Sequence, residues 1–299
     1  MNFDGILFFP VTPFDAEGRV DVDVLGEHVA AGVAHAAGGV FPACGTGEFH
    51  ALSAAECAIV VRTAVEATRG AVPVVAGAGG PLGHAIEVGR AAADAGADAL
   101  LVLPPYLVGG TQDGLAAYVE AVAAASDLPV VVYHRANAQF SPATMRRLAE
   151  NPRVVGFKDG TGDIGAAQLI VREVQKSGRP DFAFFNGLLT AELTQAAYRG
   201  IGIPLYSSAA FAMIPEVANA YYRAYIAGDE DRRLALLDDF YTPLVALRDE
   251  APGFGVSLIK AGLRLQGLRV GSVRAPLVDP TPDQERRLAA VLDAGRSLV

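Results

Sequence analysis

The sequence has little cysteine: Cys44 and Cys57 are the only two in 299 residues, and they have no CxxC spacing. That argues against a disulfide framework and against a zinc site built on thiolates. The five histidines, His28, His35, His50, His84 and His134, share no metal-ligand spacing either, so no metal and no other cofactor is expected. No apolar run approaches the ~18 residues of a spanning helix. The start, MNFDGILFFPV, lacks the basic region and small-residue cleavage site of a secretory signal, and the expected compartment is the cytoplasm. The net charge is −9, with no basic run, which argues against nucleic acid and anionic membrane as partners. Lysine is the scarcest charged residue. Of 24 basic residues only Lys158, Lys176 and Lys260 are lysines.

What is present is a hydrophobic content of 52%, ample for one large core with a small appendage. Short β-branched runs alternate with alanine-rich helical stretches. Strands are predicted at 6–11, 39–44, 73–78, 99–103, 129–134, 154–158, 182–186 and 202–206. Most are continuously apolar, the pattern of parallel strands covered on both faces. Ser53 to Glu56 reads as a capping box, and Ser141-Pro142 as a cap with proline at the first helical position. Gly38, Gly70, Gly96 and Gly200 stand where helices should stop. Eight strands with intervening helices predict a (β/α)8 TIM barrel with a C-terminal helical appendage. The expected division is a catalytic barrel over 1–227 and a helical region over 228–299, with helices at 214–227, 229–248, 254–266 and 282–297. A doubly wound sheet is the main alternative, but no GxGxxG follows the first strand. The run Gly77 to Gly80 is glycine-rich without that pattern and reads as a strand exit.

Each lysine then bears on function. Lys176 lies in a polar helix end and is expected in solvent. Lys260 lies on a helix and is expected to snorkel from an apolar face. Lys158 ends the sixth strand, and barrel enzymes place their chemistry at strand C-termini. An amine in an apolar interior loses charge stabilisation, so its pKa falls and it can attack a ketone to form a Schiff base. Arginine cannot do this. The structural alternative is a buried pair with Asp159, but neighbouring strand residues point to opposite faces.

Five segments in order, each at or near the end of a predicted strand, carry a resemblance. They are Val11-Thr12-Pro13-Phe14, Gly45-Thr46-Gly47-Glu48, Leu103-Pro104-Pro105-Tyr106, Val132-Tyr133 and Val155-Gly156-Phe157-Lys158-Asp159. Together they resemble the dihydrodipicolinate synthase and N-acetylneuraminate lyase superfamily of Schiff-base lyases. The resemblance implies that Lys158 is the Schiff-base lysine and Tyr133 the proton shuttle. It implies that Gly45, Thr46 and Gly47 offer backbone N–H groups and a hydroxyl to the substrate carboxylate. It also implies a homo-oligomer, a tetramer.

The departures narrow the activity. Gly45 stands where the synthase has the first of two threonines, and Leu107 where it has a second tyrosine. The synthase's relay to a neighbouring subunit cannot be rebuilt from these residues. Gly45 to Phe49, Pro104 to Leu107, Gly156 to Gly160, Tyr206 to Ala209 and the Tyr-x-Arg-x-Asn-Ala pattern at 133–138 resemble the 5-dehydro-4-deoxyglucarate dehydratase subgroup instead. That resemblance implies a decarboxylating hydro-lyase acting on a 2-keto-3-deoxy sugar diacid. Arg135, Asn186, Ser207 and Ser208 are the candidates for its distal carboxylate. The alternatives are a 2-keto-3-deoxy acid aldolase of the same superfamily and a non-catalytic sugar-acid binding protein on this barrel.

Overall fold

The computed structural model describes residues 3–299. Strands and helices alternate: β1 (Leu7–Phe8), α1 (Val22–Ala34), β2 (Gly39–Val40), α2 (Ala54–Thr68), β3 (Val75–Gly80), α3 (Leu82–Asp94), β4 (Ala99–Pro105) and α4 (Gln112–Ala123). They continue with β5 (Val130–His134), α5 (Pro142–Ala149), β6 (Val154–Asp159), α6 (Ile164–Gln175), β7 (Ala183–Asn186), α7 (Gln195–Gly200), β8 (Leu205–Ser208) and α8 (Pro215–Ala227). All pairings between these strands are parallel, in the order β2-β1-β8-β7-β6-β5-β4-β3. A parallel bridge from Val40 to Val74 brings the two edges together. The result is the expected (β/α)8 barrel, nearly closed.

All eight expected strands form, with shifted ends. β1 and β2 stop early because Pro10 and Pro42 have no N–H to give a ladder. β8 starts late because Gly202, at φ +92, and Pro204 hold the chain out of the sheet until Leu205. The run Gly77 to Gly80 forms the second half of β3 and its exit. Both expected caps are present, the Ser53–Glu56 box on α2 and Ser141-Pro142 on α5. Gly96 follows α3 in the left-handed region, and Gly70 follows left-handed Arg69 after α2. At α1 and α7 the left-handed residues are Ala36 and Gly202, rather than Gly38 and Gly200.

Gly228, left-handed at φ 72, ends α8. Beyond it lie α9 (Glu230–Leu236), α10 (Thr242–Arg248), α11 (Phe254–Leu265) and α12 (Pro282–Ser297). The stretch expected as one helix over 229–248 is interrupted by a π turn at Leu237–Tyr241. Two apolar layers result from strand alternation. Phe9, Phe41, Val75, Leu101, Val131, Tyr133 and Phe185 fill the barrel. A larger layer between sheet and helices runs on without a break into α9–α12, through Leu236, Phe240, Leu258 and Leu292. Among the described residues no helix is long and apolar enough to cross a membrane.

Candidate active site

A cavity of about 860 Å³ opens at the C-terminal ends of the strands. Lys158 reaches into it from β6. The register Tyr133–Lys158–Phe185 puts these three side chains on the inner face. Phe157 and Asp159 therefore face the helices. Asp159 is fully buried there and accepts hydrogen bonds from the Tyr198 and Thr161 hydroxyls. The alternative of a Lys158–Asp159 pair is thus excluded by geometry.

Lys158 Nζ lies 3.9 Å from the centre of the Phe9 ring and 4.6 Å from that of Tyr133. Among the described residues no carboxylate lines the cavity. Burial lowers the amine's pKa from the ordinary 10.5 to about 7; Cys44 opposes that shift and the Arg135 charge adds to it. The room for this side chain is made by Gly187, where an added Cβ would stand 2.4 Å from Lys158 Cε.

Tyr133 is buried, and its hydroxyl donates to the Gly187 carbonyl at 3.0 Å. Arg135 Nη1 donates to the same hydroxyl at 2.8 Å. Burial pushes the phenol up, while the Arg135 charge and hydrogen bond favour the phenolate. The Tyr-x-Arg-x-Asn-Ala pattern has a structural reading too. Arg135 and Ala138 close a tight turn, and Asn137 Nδ2 donates to the carbonyls of Pro105 (3.0 Å) and Val108 (2.7 Å), bracing the β4 loop.

Gly45 and Thr46 line the opposite wall. Glu48 and Phe49 turn their N–H groups back onto the carbonyls of Gly45 and Cys44. The N–H groups of Thr46 and Gly47 donate to no protein acceptor among the described residues. Gly47 sits beneath the turn, its carbonyl held by Thr12 Oγ1 at 2.7 Å, and has only its N–H to offer. Ser207 lines the cavity from β8, its hydroxyl a long 3.4 Å from the Asn186 carbonyl.

Three expectations are corrected. Asn186 is fully buried outside the cavity, and its amide is consumed by Ala191, Thr194, Gln195 and the Leu188 N–H. Ser208 alternates to the outer face of β8, where it donates to Glu192 and accepts from the Phe211 N–H. Neither can meet a distal carboxylate. Lys260 does not snorkel: it is fully buried, 2.6 Å from Glu48. Lys176 is exposed, as expected, and pairs with Glu173.

Sequence reasoning missed Phe9, His50, His84 and Gly187, and it missed a rim from the C-terminal region, Gly253, Gly255 and Val256. Phe9 and Gly187 each lie just past a strand end, a signal that alternation could have given.

The amine's lowered pKa carries a pH expectation. Only the neutral amine attacks a ketone, so adduct formation should lose about tenfold per pH unit below pH 7 and level off above pH 8. The rate of borohydride trapping with pyruvate, measured from pH 5 to 9, tests this. A rise that continues from pH 8 up to pH 9 would mean the amine is not desolvated in solution.

The Dihydrodipicolinate synthetase family model matches residues 2–295. A relative from Streptomyces griseus, named "Probable 5-dehydro-4-deoxyglucarate dehydratase", is 52% identical over 99% of this chain and 92% of its own. One of the same name from Paracidovorax citrulli is 44% identical over 97% and 94%. Among solved structures, dihydrodipicolinate synthase from Oceanobacillus iheyensis superposes with a TM-score of 0.90 at 27% identity, over 99% of this chain and 97% of that one. The chloride-inhibited synthase from Acinetobacter baumannii, complexed with pyruvate, gives 0.86 at 26% identity, over 98% and 99%. With the family model matched over nearly the whole chain, full-length relatives about half identical and the same barrel among solved structures, the chain belongs to the dihydrodipicolinate synthetase family.

Proposed function

We propose that this protein is a 5-dehydro-4-deoxyglucarate dehydratase, a Schiff-base lyase that releases water and CO2 and leaves 2,5-dioxopentanoate. The observation that carries this reading is the set of polar groups in the cavity. In a chain of net charge −9 the site holds Lys158, Arg135, His50 and His84, and no carboxylate among the described residues. Such a wall suits a substrate with a carboxylate at each end. The names of the relatives support the same substrate.

The neutral Lys158 amine adds to the ketone, and loss of water gives an iminium. The carboxylate beside the ketone rests on the Thr46 hydroxyl and the free N–H groups of Thr46 and Gly47. Tyr133 gives its proton to the departing hydroxyl of the carbinolamine, and Arg135 steadies the phenolate. That phenolate takes a proton from the methylene beside the iminium, forming an enamine. The hydroxyl on the next carbon takes a proton from solvent and is expelled by the enamine as water, leaving an iminium conjugated with a C=C bond. This is an electron sink. The distal carboxylate leaves as CO2, its bonding pair flowing through the conjugated system to nitrogen. Tautomerisation and hydrolysis then free the aldehyde product and the lysine. Ser207, with Arg135 or His84, holds the distal carboxylate until it leaves.

In this reading the barrel, 1–227, carries the chemistry and the helical region, 228–299, supplies the rim. Assembly as a homotetramer in the cytoplasm completes it. The exposed apolar tip Tyr106-Leu107-Val108 offers a surface for burial against a second copy.

Incubation with 5-dehydro-4-deoxyglucarate, in the presence of chelator, should yield CO2 and 2,5-dioxopentanoate in equal amounts. Release of pyruvate from the same diacid would overturn the assignment in favour of an aldolase.

A further inference from the structure

A buried pair of charges lies directly behind the Gly45–Gly47 turn, away from the reacting groups. Glu48 follows the turn in the left-handed region, at φ 57, and is fully buried. Its Oε1 lies 2.6 Å from Lys260 Nζ, and its Oε2 accepts from the Arg274 backbone N–H at 2.7 Å. Lys260 is fully buried as well. It also donates to the Ser272 carbonyl at 2.9 Å and lies 4.1 Å from the centre of the Phe14 ring. The Arg274 guanidinium stands 4.0 Å from the centre of that ring. It donates to the Ala51 and Gly18 carbonyls and to Glu56.

Stability alone is a poor account of this pair. Desolvating two charges costs about what their attraction returns, and an apolar pair of equal volume commonly does as well. What an ion pair adds is direction. A left-handed conformation at a non-glycine residue is strained and persists only where its surroundings fix it. Here the surroundings are Lys260 and the Arg274 N–H. Lys260 belongs to α11, and the first turn of that helix, at Gly255 and Val256, also lines the cavity. The same rigid helix therefore touches the site at its mouth and grips the turn from behind.

We propose that Glu48 and Lys260 are a positioning pair, which holds the N–H groups and hydroxyl of the Gly45–Gly47 turn at the place a keto acid's carboxylate occupies. The inference rests on the reading that this turn receives the carboxylate beside the ketone. It assigns Lys260, which does not itself line the cavity, to substrate affinity.

The test is borohydride trapping of pyruvate on Lys158 in the full-length protein, with pyruvate concentration varied and melting followed in parallel. Pyruvate has no distal carboxylate, so the result does not depend on which diacid is the substrate. Glu48→Gln and Lys260→Met should each raise half-saturating pyruvate about tenfold or more, since small misplacements of a binding group cost that much or beyond. The limiting trapping rate at saturation should stay within about threefold, because the amine itself is untouched. The double variant, Glu48→Gln with Lys260→Met, removes both buried charges. It should melt closer to the unaltered protein than either single variant does, yet still bind pyruvate weakly. Recovery of both melting and affinity in the double variant would make the pair structural and overturn the proposal. So would half-saturation within twofold of the unaltered protein in any folded variant. Absence of any adduct in the unaltered protein would instead overturn the Schiff-base reading, and the pair's role with it.

Discussion

Lys158→Ala should abolish turnover of the diacid, by more than about 10⁵-fold, a loss that fits within the accelerations enzymes commonly provide. The covalent route depends on one nitrogen, and no other group in the cavity can replace it. Neither a guanidinium nor the imidazoles of His50 and His84 form a stable imine with a ketone. The fold should survive. Among the described residues Lys158 has no ion-pair partner, so its removal strands no opposite charge. The vacated space opens into the cavity, where water can fill it. Melting should therefore shift by only a few degrees or rise, since a desolvated amine is removed. Borohydride with pyruvate should add mass to the Lys158 peptide of the unaltered protein and to no peptide of the variant. An adduct on exposed Lys176 or on buried Lys260 would overturn the assignment.

The barrel was legible because parallel strands covered on both faces leave continuous apolar runs, and because Ser53, Ser141 and Gly96 mark helix ends by local rules. Lys158 was legible for a similar reason: strand alternation fixes which face it takes, and the structure places it on that face beside Tyr133. The same alternation, applied to β7 and β8, would have corrected Asn186 and Ser208. Asn186 aligns with Asp159 and not with Lys158, and Ser208 lies one residue beyond inward-facing Ser207. Lys260 was misread because its partner Glu48 is 212 residues away. Nothing in a helix's own sequence distinguishes a lysine that snorkels from one that meets a buried carboxylate. The rim at Gly253–Val256 was hidden for the same reason: tertiary docking of a distant helix leaves no periodic trace.

Tyr133→Phe should lower kcat by roughly 10²–10⁴-fold, the range for loss of a positioned acid–base group. The ring stays, so its place in the apolar interior of the barrel and the face turned to Lys158 Nζ are kept. What is lost is the oxygen that Arg135 holds at 2.8 Å. In the resting site that oxygen carries its proton, since burial pushes the phenol above its ordinary value. It therefore acts first as an acid, toward the departing carbinolamine hydroxyl. Only then, as a phenolate beside Arg135, does it act as a base toward the methylene. Both steps fail in the phenylalanine variant, so the loss should appear in kcat, with KM for the diacid changed by no more than about threefold. Trapping of pyruvate should slow but not vanish, because water can supply a proton to the carbinolamine. Arg135→Met should reproduce part of the loss by removing the phenolate's partner, and should also raise KM if the same guanidinium meets the distal carboxylate. A kcat for Tyr133→Phe within a few-fold of the unaltered enzyme would make the tyrosine structural and move the proton transfer to another group at the mouth, with His84 on α3 the nearest candidate by chemistry.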